Sequence, residues 1–264
     1  MTVIDPLEAV TYLENVKLPM PPSPPDGLLG AKGPAIPTPP EYASGVDQAV
    51  TVGSQIAEFA ANVPAEMRPQ ISNSFLLAQL AANREIKDTG GGTKQWYDKY
   101  VEVLTKIGWL LESKQVSMRE VSSDTLEVHK EIIPLLIAVL GTAAIPVTAV
   151  IISVLKSLAD MDKNQPWITL FDRESQRASA NQFQMSYASV DESAGPRISL
   201  VCFELDASRS LTQVLFFKFS TTKATLRHFG SKFGINPAVF KRSIKVVEDR
   251  ISDYVNDYIE DIKL

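Results

Sequence analysis

The chain has few of the residues from which metal sites and catalytic centres are usually built. Among its 264 residues there are one cysteine, Cys202, and two histidines, His129 and His228. A metal site needs several His, Cys or carboxylate ligands at close spacing, and no paired motif such as HExxH or CxxC occurs. A single cysteine also excludes an intramolecular disulfide, which fits folding in a reducing compartment. The sequence therefore predicts no metal ion and no conventional cofactor.

Signatures of a catalytic serine, of dinucleotide binding and of nucleic-acid binding are missing as well. There is no GxSxG elbow, no dinucleotide fingerprint and no dense Lys/Arg stripe, and the net charge is −5. The first 18 residues carry Asp5, Glu8 and Glu14 and lack the basic start and apolar run of a secretory signal. We predict no nucleic-acid partner. We also predict cytoplasmic synthesis without a signal peptide, with membrane association or leaderless release as alternatives.

Proline is concentrated near the N-terminus, where ten of the 17 prolines lie between Pro6 and Pro40. Because proline fixes φ and removes a backbone donor, residues 1–44 are predicted to form an arm without regular helix or sheet. This arm is interpreted as an extended segment lying on the domain, as a flexible leader, or as a polyproline ligand for a protein partner. Residues 45–264 are then predicted to form one domain.

The spacing of apolar residues divides that domain into a helical part and a strand part. Helices are expected over 46–63, from near Pro69 to Ile86, and from Thr93 to Leu111, within a helical half at 45–160. Strands are expected within 180–221, at 182–187 (half-buried), 197–205 and 212–220, joined as an antiparallel meander. An amphipathic helix is expected from Pro237 to about Ile262, within 236–262. The predicted class is α/β of the α+β type, with helices packed on a small, mainly antiparallel sheet.

The run from Ile132 to Leu155 contains 24 residues and no charge. One continuous helix of that length would measure about 36 Å, more than the roughly 30 Å of a bilayer's hydrocarbon core. Three interpretations are open: a transmembrane helix, a pair of short helices broken between Gly141 and Pro146, and a core helix of a soluble domain. Pro146 interrupts a helix and no aromatic belt flanks the run, so buried segments in a soluble fold are favoured.

Cys202 lies on a predicted interior strand, where period-two alternation places Leu200 on the same face. A lone cysteine in such a strand is often a small buried hydrophobe. A thiol that faces an apolar cavity could instead carry a fatty acyl thioester, because burying a palmitoyl chain contributes on the order of 10 kcal/mol. The side chains predicted to contact that chain come from the central run and the strand: Ile132, Leu136, Leu140, Ile151, Leu155, Leu200 and Cys202.

A thioester is also an activated acyl group, so the same arrangement could be the intermediate of an acyltransferase or thioesterase. Such an enzyme needs a base near the sulfur, because the thiolate is the reactive form. His228 and His129 are the imidazoles available for that role. Whether the chain is an enzyme is left open by the sequence.

The layout resembles that of the Erwinia virulence factor (Evf) family. The shared features are a chain of 29.0 kDa without a leader, a strongly apolar central segment, a late block of strands, and one cysteine within Ser199-Leu200-Val201-Cys202-Phe203. The resemblance covers the layout of most of the chain and rests on no diagnostic motif. It implies an intertwined α/β fold, palmitate carried by Cys202, and a bacterial virulence role.

Three functions are therefore predicted. The first is a fatty-acyl-binding protein acylated at Cys202, with a fatty acyl chain or membrane lipid as its partner. The second is a helical pore-forming toxin that inserts residues 132–155 into membranes. The third is a non-catalytic protein that binds a partner through its proline-rich arm and its C-terminal helix.

Overall fold

The computed structural model describes residues 5–21, 40–121, 128–140, 149–177, 182–207, 215 and 224–262, and within them eight helices and seven strands form an α/β fold, as predicted. The helices are α1 (Pro6–Asn15), α2 (Met67–Thr89), α3 (Thr93–Ile107), α4 (Val128–Leu140), α5 (Ala149–Ser157), α6 (Pro166–Arg177), α7 (Pro237–Ile251) and α8 (Val255–Tyr258). The strands are β1 (Gln48–Val52), β2 (Gln55–Phe59), β3 (Trp109–Val121), β4 (Gln182–Asp191), β5 (Gly195–Ala207), β6 (Ala224–Ile235) and β7 (Ile259–Asp261).

The seven strands form one mixed sheet in the order β3-β6-β5-β4-β2-β1-β7. The pair β2–β4 is parallel, and the other neighbouring pairs are antiparallel. The predicted antiparallel pairing of the first two strands is confirmed by β4 and β5, whereas β6, which pairs with β5, lies after the predicted strand block and was not predicted. The sheet is larger than predicted because β1, β2, β3 and β7 join it from segments that the sequence pattern had assigned to helices.

Helices cover both faces of this sheet. On one face, which we call the thiol face, Tyr97 of α3 packs on Phe229 of β6 with 5.0 Å between ring centroids. On the opposite face, which we call the phenylalanine face, Phe171 of α6 packs on Phe183 of β4 at 5.9 Å, and Phe183 stacks on Phe203 of β5 at 5.1 Å. The interior strands are therefore buried on both faces.

Strand β4 differs from its prediction as a half-buried strand. Its polar residues Gln182, Gln184 and Ser186 are as buried as its apolar ones. The reason is that α2 and α3 cover the face of β4 that the alternating pattern predicted to be exposed to solvent. Gln184 and Ser186 form hydrogen bonds there with other buried side chains, whereas the side-chain amide of Gln182 has no partner among the described residues.

The helix predicted over 46–63 is wrong, because this segment forms the β1–β2 hairpin. Val50, Thr51 and Val52 are all β-branched, and such side chains pack well on a pleated sheet. Gly53, with φ of 55°, then supplies the positive φ that a two-residue hairpin turn requires. The helical spacing of apolar residues in this segment is a coincidence of two neighbouring buried strands.

The helix predicted from Thr93 ends earlier than expected, at Ile107. Gly108 adopts φ of 118° and ends α3, and the chain enters β3 at Trp109. Leu111, predicted as the end of the helix, therefore lies in a 13-residue strand that pairs with β6. The predicted strand 212–220 lies outside the described residues except for Leu215, which is buried.

The C-terminal helix is also shorter than predicted. It begins at Pro237 with Asn236 as its cap, as expected, but α7 ends at Ile251. After a turn and the four residues of α8, the chain forms β7, which pairs with the edge of β1. Pairing with this open edge overrides the helical pattern, and Tyr258, Ile259 and Ile262 are buried by the sheet.

The N-terminal arm contains a helix that the proline argument had excluded. Asp5 caps α1, its carboxylate accepting the backbone N–H of Leu7 at 2.7 Å, and Pro6 occupies the first turn, where proline is tolerated. Helix α1 packs against α7 and α3. After it, the carbonyl of Pro19 accepts a hydrogen bond from Tyr254, so this part of the arm is attached to the domain.

The apolar central run forms two helices, α4 and α5, that contact each other. This agrees with the interpretation of a pair of short helices, and the connection between them, residues 141–148, lies outside the described residues. Among the helices of the described ranges, none is long and apolar enough to cross a membrane.

Gly108 gives a direct test of the junction between α3 and β3. A Cβ at this position would lie 2.7 Å from the backbone nitrogen of Phe240. We expect Gly108→Ala to lower the free energy of unfolding by about 2–4 kcal/mol, since the positive φ and the clash add. Gly90→Ala is the control, because Gly90 has φ of 71° but no atom within 4 Å of the added Cβ. Equal costs for the two variants in urea denaturation would contradict the packing at Gly108.

Candidate functional site

Cys202 lies in the middle of β5 and its thiol faces α2 and α3. Its register partners are Gln184 of β4 and Phe229 of β6, both on the thiol face. The residue has no exposed surface, and Gln184 Nε2 lies 3.9 Å from its Sγ. The thiol is therefore enclosed by side chains of the sheet and of the helices above it.

Around Gln184 the thiol face carries a cluster of buried polar side chains. Ser54 Oγ lies 2.9 Å from Gln184 Oε1 and 3.2 Å from Gln79 Oε1, which also accepts the backbone N–H of Ser54 at 3.1 Å. Gln79 Nε2 donates to the carbonyl of Val52 at 2.8 Å. Helix α2, the β1–β2 turn and β4 are thus joined by hydrogen bonds below the surface.

A second set of bonds extends this cluster towards α3. Gln55 Nε2 donates to Ser186 Oγ at 2.8 Å, and Tyr100 donates to Gln55 Oε1 at 2.8 Å. Tyr97 and Ser231 share a hydrogen bond of 2.5 Å between their hydroxyl oxygens. The surroundings of Cys202 are consequently polar and aromatic, unlike the apolar lining that a long acyl chain requires.

Burial determines the protonation state of Cys202. Removal from water raises the pKa of its thiol far above the ordinary range, the hydrogen bond from Gln184 opposes this shift, and the nearby Glu204 carboxylate raises the pKa further. The thiolate is the nucleophilic form of cysteine. In this environment Cys202 is a weak nucleophile at neutral pH.

The structure does not bring His228 to the thiol. His228 is the register partner of Phe203, with 6.3 Å between the two rings, and so lies on the phenylalanine face. Burial lowers its pKa, and its Nδ1 atom has no hydrogen-bond partner within the described part of the chain. His129 belongs to α4, but its side chain lies outside the described part.

The residues predicted to hold an acyl chain are divided between the two faces of the sheet. Leu200 shares the thiol face with Cys202, because it is the register partner of Ser186 and Ser231. Helix α5 lies on the phenylalanine face, where its backbone contacts Glu58, the register partner of Tyr187. Of the predicted residues in α4 and α5, Ile132, Leu136, Ile151 and Leu155 are buried, and the side chain of Leu140 lies outside the described residues.

The central helices have a distinctive outer surface. Between Glu131 and Lys156 neither helix carries a charged residue. Ile132 and Leu136 of α4 are fully buried, whereas the other side chains between residues 133 and 138 are apolar and either half-buried or exposed: Ile133, Pro134, Leu135, Ile137 and Ala138. We call α4 and α5 together the apolar pair.

One carboxyl group connects the apolar pair to the sheet. Glu58 Oε2 accepts the backbone N–H of Ile151 at 3.0 Å, in the first turn of α5. Glu58 is 1% exposed, and its Oε1 has no hydrogen-bond partner among the described residues. Burial raises the pKa of Glu58 to about 8, an effect that the hydrogen bond from Ile151 partly offsets.

Sequence reasoning missed both Glu58 and the buried glutamines. Glu58 had been placed on a predicted helix, where a single glutamate is unremarkable. Its signal was its position in a segment that is otherwise apolar or uncharged from Gln48 to Val63. The glutamines gave a signal in their alternation along β4, but burial of that face depends on helices that are distant in sequence.

The surface of the described residues contains a cleft of about 560 Å³ between α2, α3 and α8. Leu80, Ile86, Trp96 and Tyr258 form its apolar wall. It does not reach Cys202 or the apolar pair. No group of three or more His, Cys, Asp or Glu residues suited to a metal ion occurs in the described ranges.

No family model matches the chain, and no curated protein matches it. Among solved structures, that of the Evf virulence factor aligns with 85% of this chain and 87% of its own, at 12% identity and a TM-score of 0.27. The family that the sequence layout resembles therefore also appears among the structural matches, but only as a weak one. A score this low carries no argument about fold, function or individual residues.

The burial of Cys202 predicts its reactivity. We expect iodoacetamide to leave the native protein unlabelled in mildly alkaline buffer, because the thiol is enclosed and protonated. After unfolding in guanidinium chloride, one label per chain should be incorporated, and Cys202→Ser should take up none in either state. Rapid labelling of the native protein would show that the thiol is accessible.

Proposed function

We propose that this protein acts on lipid membranes, and that the apolar pair is the part that enters the bilayer. The observation that supports this is the uncharged outer surface of α4. It corresponds to the second of the predicted functions, insertion of residues 132–155. The partner is a phospholipid bilayer, and the activity is disturbance of its permeability.

A helix that packs on a sheet normally presents charged or polar residues to water. Helix α4 departs from this rule between residues 133 and 138, where Pro134 and Ala138 are exposed, the other solvent-contacting side chains are half-buried and aliphatic, and none is charged. Contiguous apolar surface on a soluble protein usually marks a site of interaction with protein, ligand or membrane. Helix α5 also has no charged residue before Lys156, so both helices of the apolar pair could enter lipid without burying a charge.

The lengths of the two helices limit how they can enter a membrane. Helix α4 has 13 residues and α5 has 9. At 1.5 Å per residue these measure about 20 and 14 Å, less than the roughly 30 Å of the hydrocarbon core. We therefore infer shallow insertion of the pair into one leaflet, or a longer insertion after rearrangement of both helices.

Leaving the sheet for a bilayer requires little loss of apolar burial for the pair itself. Ile132, Leu136, Ile151 and Leu155 are buried against the protein, and lipid tails are about as apolar as these side chains. The cost lies on the protein side, where part of the phenylalanine face would become uncovered. Insertion is therefore expected only where a membrane is present to accept the pair.

A liposome assay tests this proposal. We expect the protein to release dye from phospholipid vesicles, and Ala138→Asp to reduce the leakage rate by about 10- to 100-fold, because moving a carboxylate from water into the hydrocarbon region costs up to roughly 3 kcal/mol. Ala138 is exposed, so the aspartate is compatible with the folded protein in water. Ala43→Asp places the same charge at an exposed alanine before β1 and should leave leakage unchanged. Absence of leakage at every pH and lipid composition would refute the proposal.

Acylation of Cys202 stays a prediction, and its enclosed position on the thiol face argues against it. Intact-protein mass spectrometry of material from a lipid-replete bacterial host decides the matter. If a thioester is present, the mass of the intact protein should exceed the sequence mass by that of a fatty acyl group. Hydroxylamine should remove this increment, and Cys202→Ser should lack it. An unmodified chain would leave Cys202 as a buried structural residue.

A further inference from the structure

We propose that the contact between Glu58 and the first turn of α5 is a pH-sensitive switch that releases the apolar pair as Glu58 ionises. Only the consequence at a membrane rests on the proposed function. The release itself is a property of the fold and can be measured in the absence of lipid.

The position of Glu58 makes it a point of attachment. It lies inside β2, opposite Ala49 of β1 and Tyr187 of β4, with its side chain on the phenylalanine face. Its Oε2 accepts the N–H of Ile151 at 3.0 Å. First-turn N–H groups have no partner within their own helix, so this carboxyl takes the place of a side-chain cap that α5 would otherwise need.

The surroundings of Glu58 offer no compensating positive charge. On the β1 side the nearby charged group is Asp47, whose carboxylate opposes ionisation of Glu58, and on the β4 side it is Tyr187, which is neutral over the relevant range. Helix α5 carries no charge before Lys156. No ion pair joins Glu58 to a lysine, arginine or histidine within the described residues, so its ionised form would be a buried, uncompensated anion.

The direction of the pH effect follows from the two protonation states. Burial holds the pKa of Glu58 near 8 in the folded protein, against an ordinary value of 4.5. The contribution of Glu58 to the stability of the docked α5 is therefore complete below pH 4.5 and falls as the pH rises. It is lost once the pH exceeds the pKa of Glu58 in the folded protein, about 8. Docking of α5 is favoured at acidic pH and weakened at mildly alkaline pH. Partial charge at the helix N-terminus reduces this effect without reversing it.

Amide hydrogen exchange of α5 measures the switch. Between about pH 5 and 8 we expect the protection factors of the Ile151 to Leu155 amides to fall by up to tenfold per pH unit, then to level off. In Glu58→Gln, which retains an acceptor for the Ile151 N–H, they should show no such fall. Glu85→Gln changes an exposed glutamate of α2 and should behave like the wild type. An identical fall in Glu58→Gln, or none in the wild type, would overturn the switch.

Two further measurements keep the outcomes separable. The NMR chemical shift of the Glu58 carboxyl carbon in the wild-type protein reports its ionisation directly. The switch can therefore be tested even if Glu58→Gln does not fold. Vesicle leakage is then measured for both proteins across the same pH range. Exchange controlled by Glu58 without leakage at any pH would support the switch and refute the membrane function. Leakage that is independent of pH and identical in Glu58→Gln would support the membrane function and refute the switch.

Discussion

The parallel pairing of β2 with β4 is the constraint on which the rest of the structure depends. It joins the N-terminal hairpin to the later strands, and it is reinforced by the backbone N–H of Gln184, which donates to the carbonyl of Ser54 at 2.8 Å. Buried glutamines from α2, β2 and β4 meet at this junction, each satisfied by another polar group. A cluster of this kind tolerates few alternative arrangements, because any unpaired member would be costly.

This junction also determines what Cys202 can do. Because β4 and β5 continue the sheet from β2, the thiol faces the glutamine and tyrosine cluster, while α5 is attached on the opposite face. The sheet itself therefore separates the sulfur from the apolar pair. Features that looked like one acyl-binding site in the sequence are two unrelated environments in the fold, one polar and enclosed, the other apolar and partly open to solvent.

The apolar pair and Glu58 illustrate how stability and activity can be coupled. A leucine or methionine at position 58 would avoid a buried carboxyl group, yet the chain has a glutamate whose pKa is raised by burial. Natural proteins commonly keep such unfavourable groups where function requires a second state. In this protein the group lies where α5 meets the sheet, and in the proposed switch its ionisation would control the release of that helix.

The elements with long and unambiguous patterns could be predicted before the fold was known. Helices α2 and α3, strands β4 and β5, the start of α7 and the break in the apolar run all follow from local periodicity, capping and proline placement. The strands in residues 48–59 and 259–261, the burial of Gln184 and the capping of α5 by Glu58 could not be predicted from local pattern. The physical reason is that strand pairing and burial depend on partners distant in the chain: short apolar segments fit a helix or a strand equally well, and a polar residue reveals nothing about its depth until its neighbours are known.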